Sequence, residues 1–326
     1  MKALLLEQHA DGQVVQVKNC AVDELPPGDV IVDIHWSTLN YKDALAITGK
    51  GKIVRQFPMI PGIDFSGTVN HSTDPRFKIG QQVLLTGWGV GENHWGGLAT
   101  QARVPANYLT AVPDNLSLRQ AMIIGTAGFT AMLCVMALQD SGITPEHGDI
   151  IVTGASGGVG STAIQLLSRL GYSVTAVTGR AENSDYLYQL GAKNILSRND
   201  FPAQPRPLNK QRWAGGVDTV GGHILAAILA ETQYNGTVAA CGLAGGIELS
   251  TTVMPFILRN IRLQGIDSVH YPAEKRAEVW QRLASLLPES FYQQVACEIS
   301  LAQAADYAEK LVNNQITGRI LVDTRS

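Results

Sequence analysis

The feature that most constrains the fold is a short apolar strand that runs directly into a glycine-rich turn and then into a helix. Residues 149–153 read Asp-Ile-Ile-Val-Thr, glycines occupy positions 154, 157, 158 and 160, and residues 161–170 continue with a largely apolar helical pattern. Glycines allow close backbone approaches in the turn, and a helix amino terminus directs N–H groups and partial positive charge at an anion. This order of strand, turn and helix predicts a dinucleotide site rather than an ordinary strand-to-helix turn.

The regions on either side of this turn predict two kinds of domain. Downstream of it, helical segments alternate with strands at 173–177, 194–196, 217–220, 237–241 and 262–266, which indicates a parallel sheet with crossover helices. The first hundred residues contain short strands separated by Pro and Gly, which indicates an irregular β domain. After Pro288 a strand at 293–299, a helix at 302–312 and a strand at 319–322 are predicted. A chain of 326 residues is long enough for two such domains.

The strand after the turn predicts which nicotinamide cofactor is bound. An acid about 20 residues beyond the glycines would hydrogen-bond the ribose hydroxyl of NAD, but this strand ends in Thr178-Gly179-Arg180. A guanidinium binds a 2′-phosphate, and the missing carboxylate removes a repulsion. We therefore predict NADPH. The alternative for Arg180 is an ordinary solvated arginine, and Glu182 lies two positions further on.

The composition limits which binding partners and which cellular location are expected for the protein. Lys and Arg number 25 against 28 acids, a formal charge of -3, so no basic face for nucleic acid is expected. No apolar run is expected to approach the ~18 residues of a membrane-spanning helix. The four cysteines, Cys20, Cys134, Cys241 and Cys297, form no Cys-x-x-Cys pair. We expect a cytoplasmic protein with small buried thiols and with no membrane or nucleic-acid partner.

Zinc ligands are not clustered in the sequence. A catalytic zinc needs three protein ligands, and structural zinc usually takes a cluster of cysteines. His94 and Glu92 share the glycine-rich loop 87–97, but one histidine and one acid do not make a site. We predict that no metal is bound.

Seven segments are together typical of one protein family: Ser37–Asp43, Pro61–Gly67, Gly87–Gly97, Ile124–Ala131, Gly154–Gly160, Val253–Asn260 and Asn313–Arg319. On these segments the whole chain resembles the YhdH/AcuI-type acrylyl-CoA reductases, in the quinone oxidoreductase branch of the zinc-free medium-chain dehydrogenases/reductases. The resemblance implies an α/β protein: a GroES-like β-rich catalytic domain from residues 1–122 and a return segment 290–326, and a doubly wound Rossmann domain at 123–289. It also implies an active site in the cleft between these domains. It further implies a homodimer, with residues 253–260 near the edge of the Rossmann sheet through which the two subunits pair.

The resemblance also implies which residues contact NADPH. They are Tyr41, Ser156, Gly157, Gly158, Val159, Thr178, Gly179, Arg180, Arg198, Leu243, Ile257, Ser268 and Asn314. Tyr41 is in addition a candidate catalytic donor to the developing oxyanion or proton relay, with simple packing against the nicotinamide ribose as the alternative. Asp64 and Arg319 are the other catalytic candidates, for which a structural buried ion pair is an equal alternative.

The reaction implied by the resemblance is the NADPH-dependent reduction of acrylyl-CoA to propionyl-CoA. Reducing an activated alkene needs a hydride for the β carbon, a proton for the α carbon and donors that stabilise the enolate. Two alternatives stay open: reduction of quinones or small enones, and a non-catalytic structural protein that binds NADPH. The stretch Lys50–Arg55 either offers positive charge to the phosphates of coenzyme A or is a solvated surface loop.

Overall fold

The computed structural model describes residues 1–326 and divides into two compact units. Met1–Thr126, Ser268–Ala284 and Tyr292–Ser326 form the first unit, and Ala127–Asp267 with Ser285–Phe291 form the second. The segment 268–284, which the predicted range 123–289 assigns to the Rossmann domain, thus groups with the β-rich first unit. The first stretch of the first unit ends at Thr126, four residues beyond the predicted boundary at residue 122.

The helices and strands follow one another as fifteen strands and nine α-helices. In chain order they are β1 (Lys2–His9), β2 (Gly12–Asn19), β3 (Val30–Thr38), α1 (Tyr41–Thr48), β4 (Asp64–Ser72), β5 (Gln82–Thr86), β6 (Gln101–Val104), β7 (Leu109–Ala111), α2 (Leu118–Asp140), β8 (Ile150–Val152), α3 (Gly158–Arg169), β9 (Val174–Thr178), α4 (Ser184–Gln189), β10 (Asn194–Ser197), β11 (Trp213–Asp218), α5 (Gly222–Glu231), β12 (Thr232–Ala240), α6 (Met254–Arg259), β13 (Arg262–Gly265), α7 (Ala273–Leu286), α8 (Glu289–Gln294), β14 (Ala296–Ser300), α9 (Ala304–Val312) and β15 (Arg319–Asp323).

The first unit is built on a largely antiparallel sheet of order β14-β15-β3-β4-β5-β7, with β6 paired to β3. β15 joins β3 with Leu321 opposite Thr38, so the carboxy-terminal strand β15 is part of this sheet. Alternating residues of the strands, among them Val32, Ile34 and Phe65, are buried in its core. β1 and β2 form a separate antiparallel hairpin.

The second unit is a parallel six-stranded sheet of order β10-β9-β8-β11-β12-β13. Numbered one to six from β8, the strands run 3-2-1-4-5-6, which is the order of the dinucleotide-binding fold. Ile150, Ile151 and Val152 are fully buried, which explains why β8 reads as a continuous apolar run. The predicted α/β class is confirmed. Because the strand order reverses between β8 and β11, a ligand is expected at the carboxyl ends of these two strands.

Helix α2 holds the longest apolar run of the chain. Its length and composition are those of a membrane span, so the expectation that no run comes near that length is wrong. However, 89% of its most apolar stretch of 18 residues is buried inside the protein. Gly125 also interrupts the helix, with φ 50° and ψ -159°. The apolar composition of α2 therefore reflects packing in the protein interior.

Buried Arg276 helps to explain why most of α7 belongs to the first unit. Its Nη1 donates to the carbonyl of Thr86 at 2.8 Å, and its Nη2 donates to the carbonyl of Val269 at 3.0 Å. The guanidinium also lies 4.5 Å from the ring centre of Trp88, which stacks on Tyr108 at 5.0 Å. These contacts join residues far apart in sequence, so the alternation of strands and helices does not reveal them.

Candidate active site and cofactor site

The turn after β8 can be formed only by glycines at two positions. Gly154 has φ 57°, and a Cβ there would lie 2.1 Å from Thr219 Oγ1. A Cβ at Gly160 would lie 2.4 Å from the Gly154 carbonyl oxygen, so the first turn of α3 packs directly on the loop. Since α3 begins at Gly158, its free N–H groups point out of this turn, as an anion-binding site requires.

The carboxyl ends of β8 and β11 are joined by a buried polar contact. Thr153 Oγ1 donates to Asp218 Oδ1 at 2.7 Å, and the backbone N–H of Gly221 donates to Asp218 Oδ2 at 2.7 Å. Burial raises the pKa of the Asp218 carboxyl, although these hydrogen bonds oppose the shift. The contact fixes the position at which the strand order reverses, directly beside the glycine turn.

Two arginines converge at the carboxyl end of β9. Arg180 Nη2 donates to Ser156 Oγ at 3.0 Å, and the Arg180 backbone N–H donates to Thr178 Oγ1 at 3.1 Å. The guanidinium carbon of Arg198, which follows β10, lies 2.8 Å from where a Gly179 Cβ would stand. Because β9 ends without a carboxylate, this corner carries positive charge beside the glycine turn. It has the composition expected of a 2′-phosphate site.

The remaining predicted cofactor residues fall in both units. Leu243 and Ile257 belong to the second unit and are exposed, with Ile257 71% accessible. Tyr41, Ser268 and Asn314 belong to the first unit. Asn314 follows α9 in the left-handed conformation, with φ 56°, which asparagine tolerates better than most residues.

Tyr41 is the first residue of α1, and its side chain is 40% exposed. The helix start is fixed by a capping box in which Asn40 and Asp43 satisfy each other's backbone N–H groups. The Tyr41 hydroxyl makes no hydrogen bond within the protein, so it is available to a ligand. Its backbone position, in contrast, is set by buried neighbours.

Asp64 and Arg319 do come together, in the interior of the first unit. Arg319 Nη2 lies 3.9 Å from Asp64 Oδ2, and both side chains are almost completely buried. Arg319 also donates to the Asn40 Oδ1 atom at 3.0 Å and to the Ile123 carbonyl at 3.1 Å. Burial lowers the pKa of Arg319, while the Asp64 charge opposes this shift. The geometry favours the structural alternative for this pair.

Gly125 lies directly against this ion pair. A Cβ at Gly125 would stand 2.5 Å from Arg319 Nη2 and 2.8 Å from Asp64 Oδ2. The following backbone N–H, of Thr126, donates to Asp64 Oδ2 at 2.8 Å. The ion pair therefore holds the interrupted turn of α2 at the residues where the chain leaves the first unit.

Sequence reasoning missed Asp43 as a member of this buried cluster. Its Oδ1 accepts from the N–H groups of Gly62 and Ile63, at 3.1 and 3.0 Å, and its Oδ2 accepts from the Asn40 N–H at 2.8 Å. Complete burial and the nearby Asp64 charge raise the pKa of Asp43 to about 7, against the lowering effect of these hydrogen bonds. The three-residue spacing from Asn40 to Asp43 was the available signal, because it is that of a capping box.

The groups considered for metal binding are engaged elsewhere. His94 Nδ1 lies 3.0 Å from the Trp95 carbonyl, and Glu92 pairs with Lys42 at 2.8 Å. No group of three His, Cys, Asp or Glu side chains could hold a metal ion. All four cysteines are free, but only Cys134 is buried and Cys297 is exposed, which corrects the expectation of four buried thiols.

Comparison with known proteins finds family matches in both parts of the chain and relatives over its whole length. Residues 26–114 match the "Alcohol dehydrogenase GroES-like domain" family and residues 158–285 match the "Zinc-binding dehydrogenase" family. The "Probable acrylyl-CoA reductase AcuI" of Escherichia coli strain K12 is 65% identical over 322 residues, covering 99% of each chain. The chain belongs to the acrylyl-CoA reductase family.

Two further relatives of the acrylyl-CoA reductase family bear on the site. The acrylyl-CoA reductase AcuI of Ruegeria pomeroyi is 47% identical over 327 residues, covering 99% of each chain. The crystal structure of the yhdH oxidoreductase from Salmonella enterica in complex with NADP is 64% identical, covers 99% of each chain and superposes with a TM-score of 0.98. The recognition made from the seven sequence segments is therefore confirmed.

Proposed function

We propose that this protein is an NADPH-dependent acrylyl-CoA reductase that converts acrylyl-CoA to propionyl-CoA. Family membership at 65% identity over nearly the whole chain supports the reaction. The observation that supports NADPH as the cofactor is the arginine-lined corner at Thr178–Arg180. This corner lies next to a turn whose glycines could not be replaced, because an added Cβ would collide with neighbouring atoms. The non-catalytic alternative is not favoured, because Tyr41 is exposed and the glycine turn lies beside Arg180 and Arg198.

The residues present fit NADPH. The N–H groups at the start of α3 would hold the pyrophosphate, and Ser156, Gly157, Gly158 and Val159 would lie along it. Arg180 and Arg198 would bind the 2′-phosphate, with Thr178 and Gly179 beneath it. We assign further contacts to Tyr41, Leu243, Ile257, Ser268 and Asn314, as in the sequence-based prediction. When bound, NADPH supplies the hydride.

Tyr41 is the side chain to which we assign the donor role. Its hydroxyl is exposed and makes no hydrogen bond within the protein, so it is free to donate to the thioester oxygen as negative charge develops there. A donor aimed at developing charge accelerates the reaction more than it strengthens substrate binding. The capping box of Asn40 and Asp43 would keep the start of α1, and hence this hydroxyl, in place.

Asp64 and Arg319 take a positioning role in this proposal rather than contact with the substrate. Both are buried, and their hydrogen bonds end on Thr38, Asn40, Ile123 and Thr126. A charge in such a place is tolerated because it is paired and hydrogen-bonded. The pair would hold α1 on one side and the turn at Gly125 on the other.

Assembly, location and metal content complete the proposal. An exposed apolar surface on the second unit, including Ile247, Val253 and Ile257 at 79%, 66% and 71% accessibility, together with the edge strand β13, supports a homodimer paired through this region. Measurement of the molecular mass in solution tests the homodimer.

We also propose that the protein is cytoplasmic, has no nucleic-acid or membrane partner and binds no zinc.

The experiment that tests the reaction is product analysis. Purified protein, NADPH and acrylyl-CoA are incubated, and coenzyme A esters are separated and identified by mass. One propionyl-CoA should form for each NADPH consumed. NADPH consumption without propionyl-CoA would show that the cofactor site is right and the substrate assignment is not.

A further inference from the structure

A hollow of about 360 Å³ lies on the first unit beyond the carboxyl end of α1. It combines two cations, an exposed aromatic ring, one aliphatic side chain and two glycines, and its lining consists of Gln13, Gly49, Gly51, Lys52, Val54, Arg55 and Phe57. Phosphates bind such cations, and the ring face accepts a stacked base. From this geometry we infer that the hollow binds the 3′-phosphorylated adenosine diphosphate end of an acyl-CoA, an inference that rests on the proposed function.

The charges around the hollow separate the cations that are available from those that are not. Lys50 Nζ pairs with Glu309 at 2.7 Å, and Lys42 Nζ pairs with Glu92 at 2.8 Å. Lys52 and Arg55, which line the hollow, have no carboxylate within ion-pair distance. Two uncompensated cations on one short segment attract an anion, and they do so most strongly for a group that carries several charges.

Hydrogen bonds to the end of α1 fix one wall of the hollow, the Gln13 side chain. Gln13 Nε2 donates to the carbonyls of Ala46 and Ile47, at 2.9 and 2.8 Å, which leaves its Oε1 atom as an acceptor at the rim beside Gly49. An adenine amino group is a suitable donor for it. Phe57 is 38% exposed and supplies the stacking surface.

The hollow also lies within reach of the proposed donor Tyr41. The two are separated by the eight residues of α1, which at 1.5 Å per residue is about 12 Å. The Arg55 N–H donates to the Glu92 carbonyl at 2.9 Å, and Glu92 holds Lys42, the neighbour of Tyr41. An extended pantetheine arm is longer than this helix, so one acyl-CoA can span from the hollow to Tyr41.

Truncated substrate provides the decisive test. The double variant Lys52→Ala/Arg55→Ala is compared with the wild type on acrylyl-CoA and on acrylyl-pantetheine, which lacks the nucleotide. We expect kcat/KM for acrylyl-CoA to fall by about three- to tenfold for each cation removed, as for partly exposed charge-assisted bonds. The value for acrylyl-pantetheine should not change. Lys50→Ala is the matched control, because it removes one charge from the same loop outside the hollow. Equal losses on both substrates, or no loss on either, would overturn the assignment.

Direct binding separates failure of this inference from failure of the proposed reaction. Adenosine 3′,5′-bisphosphate is titrated calorimetrically into protein already saturated with NADP⁺, so that the cofactor site is filled. Weaker binding by the double variant supports the hollow even if acrylyl-CoA is not reduced. Equal affinity in wild type and double variant, or no binding to either, refutes the hollow while leaving the reductase assignment to the product analysis.

Discussion

Replacement of Arg180 by Ala should separate NADPH from NADH. Arg180 Nη2 donates to Ser156 Oγ at 3.0 Å at the rim of the glycine turn, where the 2′-phosphate of NADPH would lie. A hydrogen bond to a charged group contributes about 1.5–3 kcal/mol. Arg180 is only half-buried, which reduces this to about 1–2 kcal/mol. Since 1.4 kcal/mol is a factor of ten, the Kd for NADPH should rise about 5- to 30-fold, with little change for NADH.

The assay is a fluorescence titration of each reduced cofactor, and the chain offers two informative companion variants. Arg198→Ala should weaken NADPH in the same sense, because its guanidinium reaches the same corner. Arg206→Ala removes an exposed arginine from the loop 201–209 and is the matched control for net charge. Equal loss of NADPH and NADH affinity in Arg180→Ala would refute the 2′-phosphate assignment.

Three further predictions follow from the site. Tyr41→Phe should lower kcat with acrylyl-CoA while the Kd for NADPH stays nearly unchanged; a selective loss of NADPH affinity would make Tyr41 a packing residue. Because the folded-state pKa of Asp43 is raised from 3.8 to about 7, its stabilising effect is present below the lower value and is lost as pH rises through the higher one. The free energy of unfolding, measured in urea relative to Asp43→Asn, should therefore decrease over that pH range, and a constant difference would contradict the shift. Elemental analysis should find no stoichiometric zinc, and activity restored by zinc after chelation would contradict this.

The parts of the structure that depend on local pattern could be predicted from the sequence. The apolar strand at 150–152, the glycine turn and α3 were found because each has a distinct residue requirement over a few positions. The strands of the first hundred residues could be predicted only as a group of short strands, without individual bounds: β2, for example, is amphipathic and mostly half-buried, and β6 has only four residues. Short strands carry little periodicity, and their pairing partners lie elsewhere in the chain.

The buried cluster of the first unit shows the limit of this reasoning. Asp64 and Arg319 are 255 positions apart, and their pairing was proposed from family likeness rather than from any pattern. Asp43 belongs to the same cluster, and its carboxylate accepts four hydrogen bonds. No sequence pattern identified it as a member of the cluster. Likewise, α7 has a surface-like composition, and long-range contacts such as those of Arg276 with Thr86 and Trp88, and of Asn115 with the Ala284 carbonyl, join most of it to the first unit. Non-local polar contacts leave no periodic signal in the sequence.

The central claim is that this NADPH site serves an acyl-CoA. The most direct test is kcat/KM for acrylyl-CoA and for a benzoquinone, measured side by side with NADPH on the same preparation. Binding of the remote coenzyme A moiety can position the alkene, and a thioester accepts the developing negative charge. We therefore predict a far higher kcat/KM for acrylyl-CoA. A benzoquinone reduced as efficiently as acrylyl-CoA would contradict the account and favour a quinone oxidoreductase, with the fold and the NADPH site unchanged.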